Sequence, residues 1–122
     1  MDAALRLVVG LVALEHLWIL WLEMFAFRTP LGRRVFRLTP AQSETCAVFA
    51  ANQGLYNGFL AAGLGWSLLA SPARAPALMA FFLGCVAAAG LYGGFTASRR
   101  IVLYQAGPAL LGLLLLAGRA LA

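Results

Sequence analysis

The chain has 122 residues, of which 63% are hydrophobic and 11% charged, with a net charge of +5. A soluble surface of this size needs roughly a quarter of its residues charged, so a water-exposed globular domain is excluded. The long apolar runs lack the alternation of barrel strands, which leaves helices that satisfy their own backbone in lipid. The nine basic residues are all arginine and sit mostly in short breaks between apolar runs, the placement expected of cytoplasmic loops rather than of a nucleic-acid surface.

The first predicted segment covers about residues 3–27. Its length, the interruption by Glu15 and His16 and the lack of a following small-x-small site argue for a retained anchor rather than a cleaved leader. Residues 28–40 carry Arg28, Arg33, Arg34 and Arg37 around Val35 and Phe36, a basic piece suited to the membrane surface. Thr39-Pro40-Ala41-Gln42 reads as a helix start, with Thr39 as cap, Pro40 in the first turn and Gln42 closing a capping box.

The second segment is expected over 42–70, its first turn or two outside the hydrocarbon. Pro72 and Pro76 mark a turn, and a third segment follows over 77–97. Ser98-Arg99-Arg100 makes a tight basic turn before a fourth segment over 101–119, which Pro108 is placed to bend. Each run is near the roughly 20 residues that cross a hydrocarbon core. The expectation is one all-α domain, an antiparallel four-helix transmembrane bundle in the cell membrane, the inner membrane of a bacterium.

Four crossings put both termini on one side. The first and third loops hold six of the nine arginines, so these loops are expected in the cytoplasm and both termini outside. Small residues at Ala50, Gly54, Gly58 and Ala62 form a four-residue repeat in segment two. Gly90 and Gly94, and a second row at Ala80, Gly84 and Ala88, repeat it in segment three. Such ridges allow close backbone approach, and they predict contact between segments two and three. Cys46 and Cys85 lie without metal or redox spacing and read as small buried residues, with no disulfide.

Ionisable groups at membrane depth cost at least ~2.5–3.5 kcal/mol each, so they mark tight pairing or function. Segment one carries Glu15, His16 and Glu23; segment two carries Asn52, Gln53, Tyr56 and Asn57; Tyr92 lies in segment three, and Tyr104 and Gln105 in segment four. At about 1.5 Å of rise per residue, Glu23, Tyr92, Tyr104 and Gln105 fall about 6–9 Å deep, while Glu15, His16, Asn52 and Gln53 fall about 15–18 Å deep. These layers predict a polar pocket inside the bundle, opening toward its cytoplasmic half. The plainer reading makes His16 a clamp to Asn52 or Gln53, pairs Glu23 with Arg28 or with water, makes Tyr56 and Asn57 interhelical glue, and treats Trp18, Trp21 and Trp66 as lipid or helix contacts.

The run Leu14-Glu15-His16-Leu17 through Glu23-Met24-Phe25, followed by Thr29-Pro30, Gly32-Arg33 and the string from Ala50 to Ala61 (AANQGLYNGFLA), resembles the small bacterial membrane proteins grouped as domain of unknown function 1304. The resemblance spans essentially the whole chain. It implies a four-helix integral membrane protein with Glu15, His16, Glu23, Asn52, Gln53, Tyr56 and Asn57 as signature positions, and it carries no biochemical activity.

Function is therefore argued from the polar cluster. The leading expectation is binding or transport of a small amphipathic, hydrophobic or cationic ligand, with a homodimer needed to enclose a pathway. One alternative is isomerase-like acid/base chemistry on a lipid-soluble substrate, with His16 and a carboxylate exchanging protons. Another is a structural or accessory subunit whose polar layer sets helix register. A metal site of Glu15, His16 and Glu23 is disfavoured because Glu15 and His16 are adjacent and point apart. No nucleophile motif, phosphate loop or cofactor fingerprint is present in the sequence, so no cofactor and no metal are expected, and no nucleic acid. The partners expected are the lipid bilayer and the small ligand.

Overall fold

A computed structural model describes residues 2–121. It is helical throughout, with no strand among the described residues. Helix α1 spans Ala3–Met24, α2 Pro30–Phe36, α3 Pro40–Leu69, α4 Ala75–Thr96 and α5 Arg99–Leu121. Three of them, α1, α4 and α5, are long and apolar enough to cross a membrane.

Helix α3 is the longest, at 30 residues or about 45 Å. It falls short of the other three in apolarity because Gln42, Glu44, Asn52, Gln53 and Asn57 interrupt it. The excess over a hydrocarbon core about 30 Å thick is about ten residues, the length of its polar first three turns.

The helix ends differ from the sequence reading by a few residues, each for a local reason. Helix α1 stops at Met24 because the Phe25 and Ala26 amides both donate to the Trp21 carbonyl, at 3.0 and 3.1 Å, closing a wide last turn. Helix α3 begins at Pro40, and its capping box is complete. The Gln42 amide donates to Thr39 Oγ1 at 3.2 Å, and the Thr39 amide donates to Gln42 Oε1 at 2.9 Å. Helix α4 starts two residues early, at Ala75, since Pro76 sits where no intrahelical donor is needed.

The basic connection contains a helix that the sequence reading left unassigned. Thr29 caps α2: its hydroxyl accepts from the Gly32 amide at 3.3 Å and donates to the Ala26 carbonyl at 2.6 Å. The helix ends on Arg37 in the left-handed conformation, φ 56°, with the Leu38 amide donating to the Arg33 carbonyl at 2.9 Å. The Arg33 guanidinium donates to the Arg28 carbonyl and so ties the helix to its own entry.

The chain forms two compact units, and α1 and α3 contribute to both. The first unit comprises residues 2–13 and 62–121. There α4 packs on α5 through glycine. A Cβ on Gly90 would lie 2.6 Å from the Ala106 backbone nitrogen, and one on Gly94 would lie 2.0 Å from Val102 Cγ2. Val102–Ala106 winds as a π-helical turn in which the Gly107 amide donates to the Val102 carbonyl. This turn immediately precedes Pro108, whose ring in a regular helix would press on the Tyr104 carbonyl. The helix meets the proline with this widened turn.

The second unit comprises Leu14–Ala61. A small apolar cluster of Phe27, Ala47 and Ala50 is its core, with Phe36 and Leu38 packed against it. The Ser43 hydroxyl, buried beneath, donates to the Phe27 carbonyl at 3.1 Å. Gly54 and Gly58 fit against Leu20, Glu23 and Met24 of α1.

The small-residue ridges are therefore used differently from the expectation. The Gly54–Gly58 ridge serves α1, not segment three, while α3 meets α4 through Gly63 against the Phe82 ring. Gly90 and Gly94 serve α5. The Ala80–Gly84–Ala88 row faces outward: both alanines are exposed and nothing lies within 4 Å of a Cβ on Gly84. Spacing reveals a ridge but not which neighbour fills it. Cys46 is exposed rather than buried, Cys85 is partly buried, and both are free thiols.

Candidate functional site

The site grows from the point where α1 ends and the chain turns back. Gly54 and Gly58 let α3 approach the last turns of α1, which brings Asn57 within reach of Glu23. Asn57 Nδ2 donates to Glu23 Oε2 at 2.9 Å and to the Gln53 carbonyl at 3.1 Å. A part-buried amide donating to a carboxylate between two helices is a positional lock. Glu23 is thus paired with Asn57, and Arg28 instead forms an exposed ion pair with Glu44 at 3.5 Å. In that exposed setting the Arg28–Glu44 pair contributes about 0–1 kcal/mol.

Beside the locked carboxylate lies a cavity of about 450 Å³, open on one face. Ligand pockets commonly fall in the range of roughly 300–1,000 Å³. Its polar groups are Glu23, Arg28 and Asn52; Met24, Phe25, Phe27, Ala47, Val48 and Ala51 supply the apolar wall. Asn52 Nδ2 donates to the Val48 carbonyl of its own helix at 2.9 Å, which leaves the amide oxygen for another donor. One carboxylate, one guanidinium and one amide on an apolar wall can hold a small molecule by its polar end.

The other candidate residues are distributed differently. His16 is wholly buried in α1, and no buried side-chain nitrogen or oxygen among the described residues lacks a partner. Its imidazole is therefore satisfied inside the protein, and it does not line the cavity. Glu15 is half-buried one position away. Gln53 is exposed and joins the site through its backbone carbonyl alone. Tyr56 is exposed and packs edge-on to Phe59 with ring centroids 5.8 Å apart.

In the first unit, Tyr92 and Tyr104 are 73% and 64% exposed, while Gln105 is half-buried within the π-helical turn. None of the three lines the cavity. Equal depth counted along separate helices does not specify rotation about their axes. Among the described residues no three His, Cys, Asp or Glu side chains gather to offer a metal site.

Arg28, Phe25 and Phe27 are site residues that the polar pattern did not single out. Their signal was position: an aromatic pair and an arginine directly after the last turn of a helix that ends on a carboxylate.

A family model described as "Protein of unknown function (DUF1304)" matches residues 10–117. The "Uncharacterized protein YpaA" of Lactococcus lactis subsp. lactis (strain IL1403) is 35% identical over 106 residues, covering 85% of this chain and 88% of that protein. No solved structure matches.

Proposed function

The chain belongs to the DUF1304 family, and from there we propose that it is a four-crossing membrane protein that binds a small amphipathic molecule in the cavity beside Glu23. The observation that carries the reading is the Glu23–Asn57 lock at the rim of an open cavity that joins polar groups to an apolar wall. A carboxylate held by an interhelical hydrogen bond keeps its position whether or not a ligand is present, which is preorganisation for a polar head group. The apolar wall formed by Met24, Phe25 and Val48 suits the attached chain.

The fourth crossing is the later part of α3. Its last 20 residues run from Ala50 to Leu69, which leaves the polar first turns, α2, Phe27 and Ala47 beyond the hydrocarbon, with Ala50 at its edge. In this arrangement the cavity lies at the membrane boundary. The arginine bias assigns this end to the cytoplasm, with both termini outside. A C-terminal fusion to a reporter that works only in the cytoplasm is expected to stay silent, and an active reporter reverses the orientation.

Filling the cavity tests the binding reading. Wild-type protein in dodecyl maltoside is expected to take up a fluorescent single-chain lysophospholipid saturably. Ala51→Phe, placed on the wall, is expected to weaken that uptake about tenfold or more, a loss of about 1.4 kcal/mol. Non-saturable partitioning, equal for both proteins, would count against the site.

A second reading draws on the same lock and on the wholly buried His16: the polar layer sets helix register only. Under that reading the wild type has no saturable uptake for Ala51→Phe to remove.

A further inference from the structure

We infer that the cavity selects a zwitterionic amphiphile, whose cationic group meets Glu23 and whose anionic group meets Arg28. The inference rests on the amphiphile-binding reading above and narrows it to a head-group class. A carboxylate and a guanidinium line the same cavity, yet among the described residues the ion pair that Arg28 makes is with Glu44. Arg28 meets Glu44 through Nη1 and has further guanidinium donors, so the two opposite charges of the cavity present complementary poles to a head group that carries both.

Each simpler head group meets a penalty. A purely cationic amphiphile gains Glu23 but must desolvate beside Arg28, at the start of a segment that also holds Arg33, Arg34 and Arg37. A purely anionic one gains Arg28 but approaches the Glu23 carboxylate. An uncharged head group satisfies neither pole. Asn57 engages Oε2 of Glu23, and the carboxylate, which lines the cavity, has further lone pairs to offer a cation. Asn52 adds an amide oxygen on the opposite helix, and that oxygen, the negative end of the amide dipole, favours a cationic group. The open face admits the chain along Met24, Phe25 and Val48.

The test holds the chain constant and varies the head group. Dodecylphosphocholine, dodecyltrimethylammonium and dodecyl phosphate compete with the fluorescent lysophospholipid on protein in dodecyl maltoside. The zwitterion is expected to displace the probe at about tenfold lower concentration than either ion, a preference of about 1.4 kcal/mol. Arg28→Gln, at an exposed position that folding tolerates, is expected to erase the preference over the cation. Glu23→Gln is expected to erase the preference over the anion.

Equal competition by all three head groups, or variants that shift all three alike, overturns the head-group assignment while leaving amphiphile binding intact. Absence of saturable probe binding removes both. Native mass spectrometry from nanodiscs doped with two-chain phosphatidylethanolamine and its single-chain counterpart then separates the sources. Retention of the two-chain form identifies a membrane lipid, retention of the single-chain form alone identifies a free amphiphile, and retention of neither overturns the proposal.

Discussion

Gly32→Ala is expected to destabilise the protein by about 3 kcal/mol, at the upper end of ordinary overpacking costs. A Cβ at Gly32 would lie 2.1 Å from the Ala26 carbonyl oxygen and 2.6 Å from that of Phe27. Both are backbone atoms of the turn that joins α1 to α2, so no rotamer change relieves the overlap. The turn must open instead, which breaks the bond from the Thr29 hydroxyl to the Ala26 carbonyl and lifts Phe27 from Ala47 and Ala50. Phe27 and Arg28 belong to the cavity, so lysophospholipid uptake is expected to fall along with stability. Equilibrium unfolding in mixed micelles reads the first effect and probe titration the second. Gly84→Ala is the control, because nothing lies within 4 Å of its new Cβ. A Gly32→Ala protein as stable as Gly84→Ala would show that the turn does not pack as described.

The second large effect is at the contact of α4 and α5. Gly90→Ala is expected to cost about 2 kcal/mol, because its Cβ meets the Ala106 backbone nitrogen at 2.6 Å and must push the helices apart. Gly94→Ala collides more closely, at 2.0 Å, but with Val102 Cγ2, a side-chain atom. The two therefore differ in rescue. Val102→Ala is expected to restore most of the stability lost in Gly94→Ala, whereas Ala106→Gly restores little of that lost in Gly90→Ala, since the first obstacle there is backbone. The same unfolding titration measures all four proteins and the two double variants. Equal rescue at both sites would mean that the π-helical turn does not bring the Ala106 backbone against α4.

These two sites also separate what was legible in the residues from what was not. Helix class, the capping box at Thr39 and Gln42, the break at Pro72 before α4 and the apolar character of three long helices follow from local chemistry. A hydrogen bond three residues apart, a missing amide or a run of aliphatic side chains acts on its own segment. Family membership was equally legible, because the string from Ala50 to Ala61 and the Glu15–His16 and Glu23–Met24–Phe25 positions are contiguous text. That Glu23 and Asn57 would need partners could also be read, since a carboxylate and an amide in apolar helices must be hydrogen-bonded.

The partners themselves could not be read. Whether Glu23 turns to Arg28 or to Asn57 depends on Gly54 and Gly58 admitting α1, and that is a property of two surfaces together. Rotation about a helix axis is set by the sum of such contacts, so Asn57 turns inward while Asn52 and Gln53, four or five positions earlier, stand exposed. Burial of His16, the outward placement of Tyr92 and Tyr104, and the cavity made by Phe25, Arg28 and Val48 have the same origin. Local bonding is encoded residue by residue; the choice among neighbours is made only when helices far apart in the chain compete for the same space.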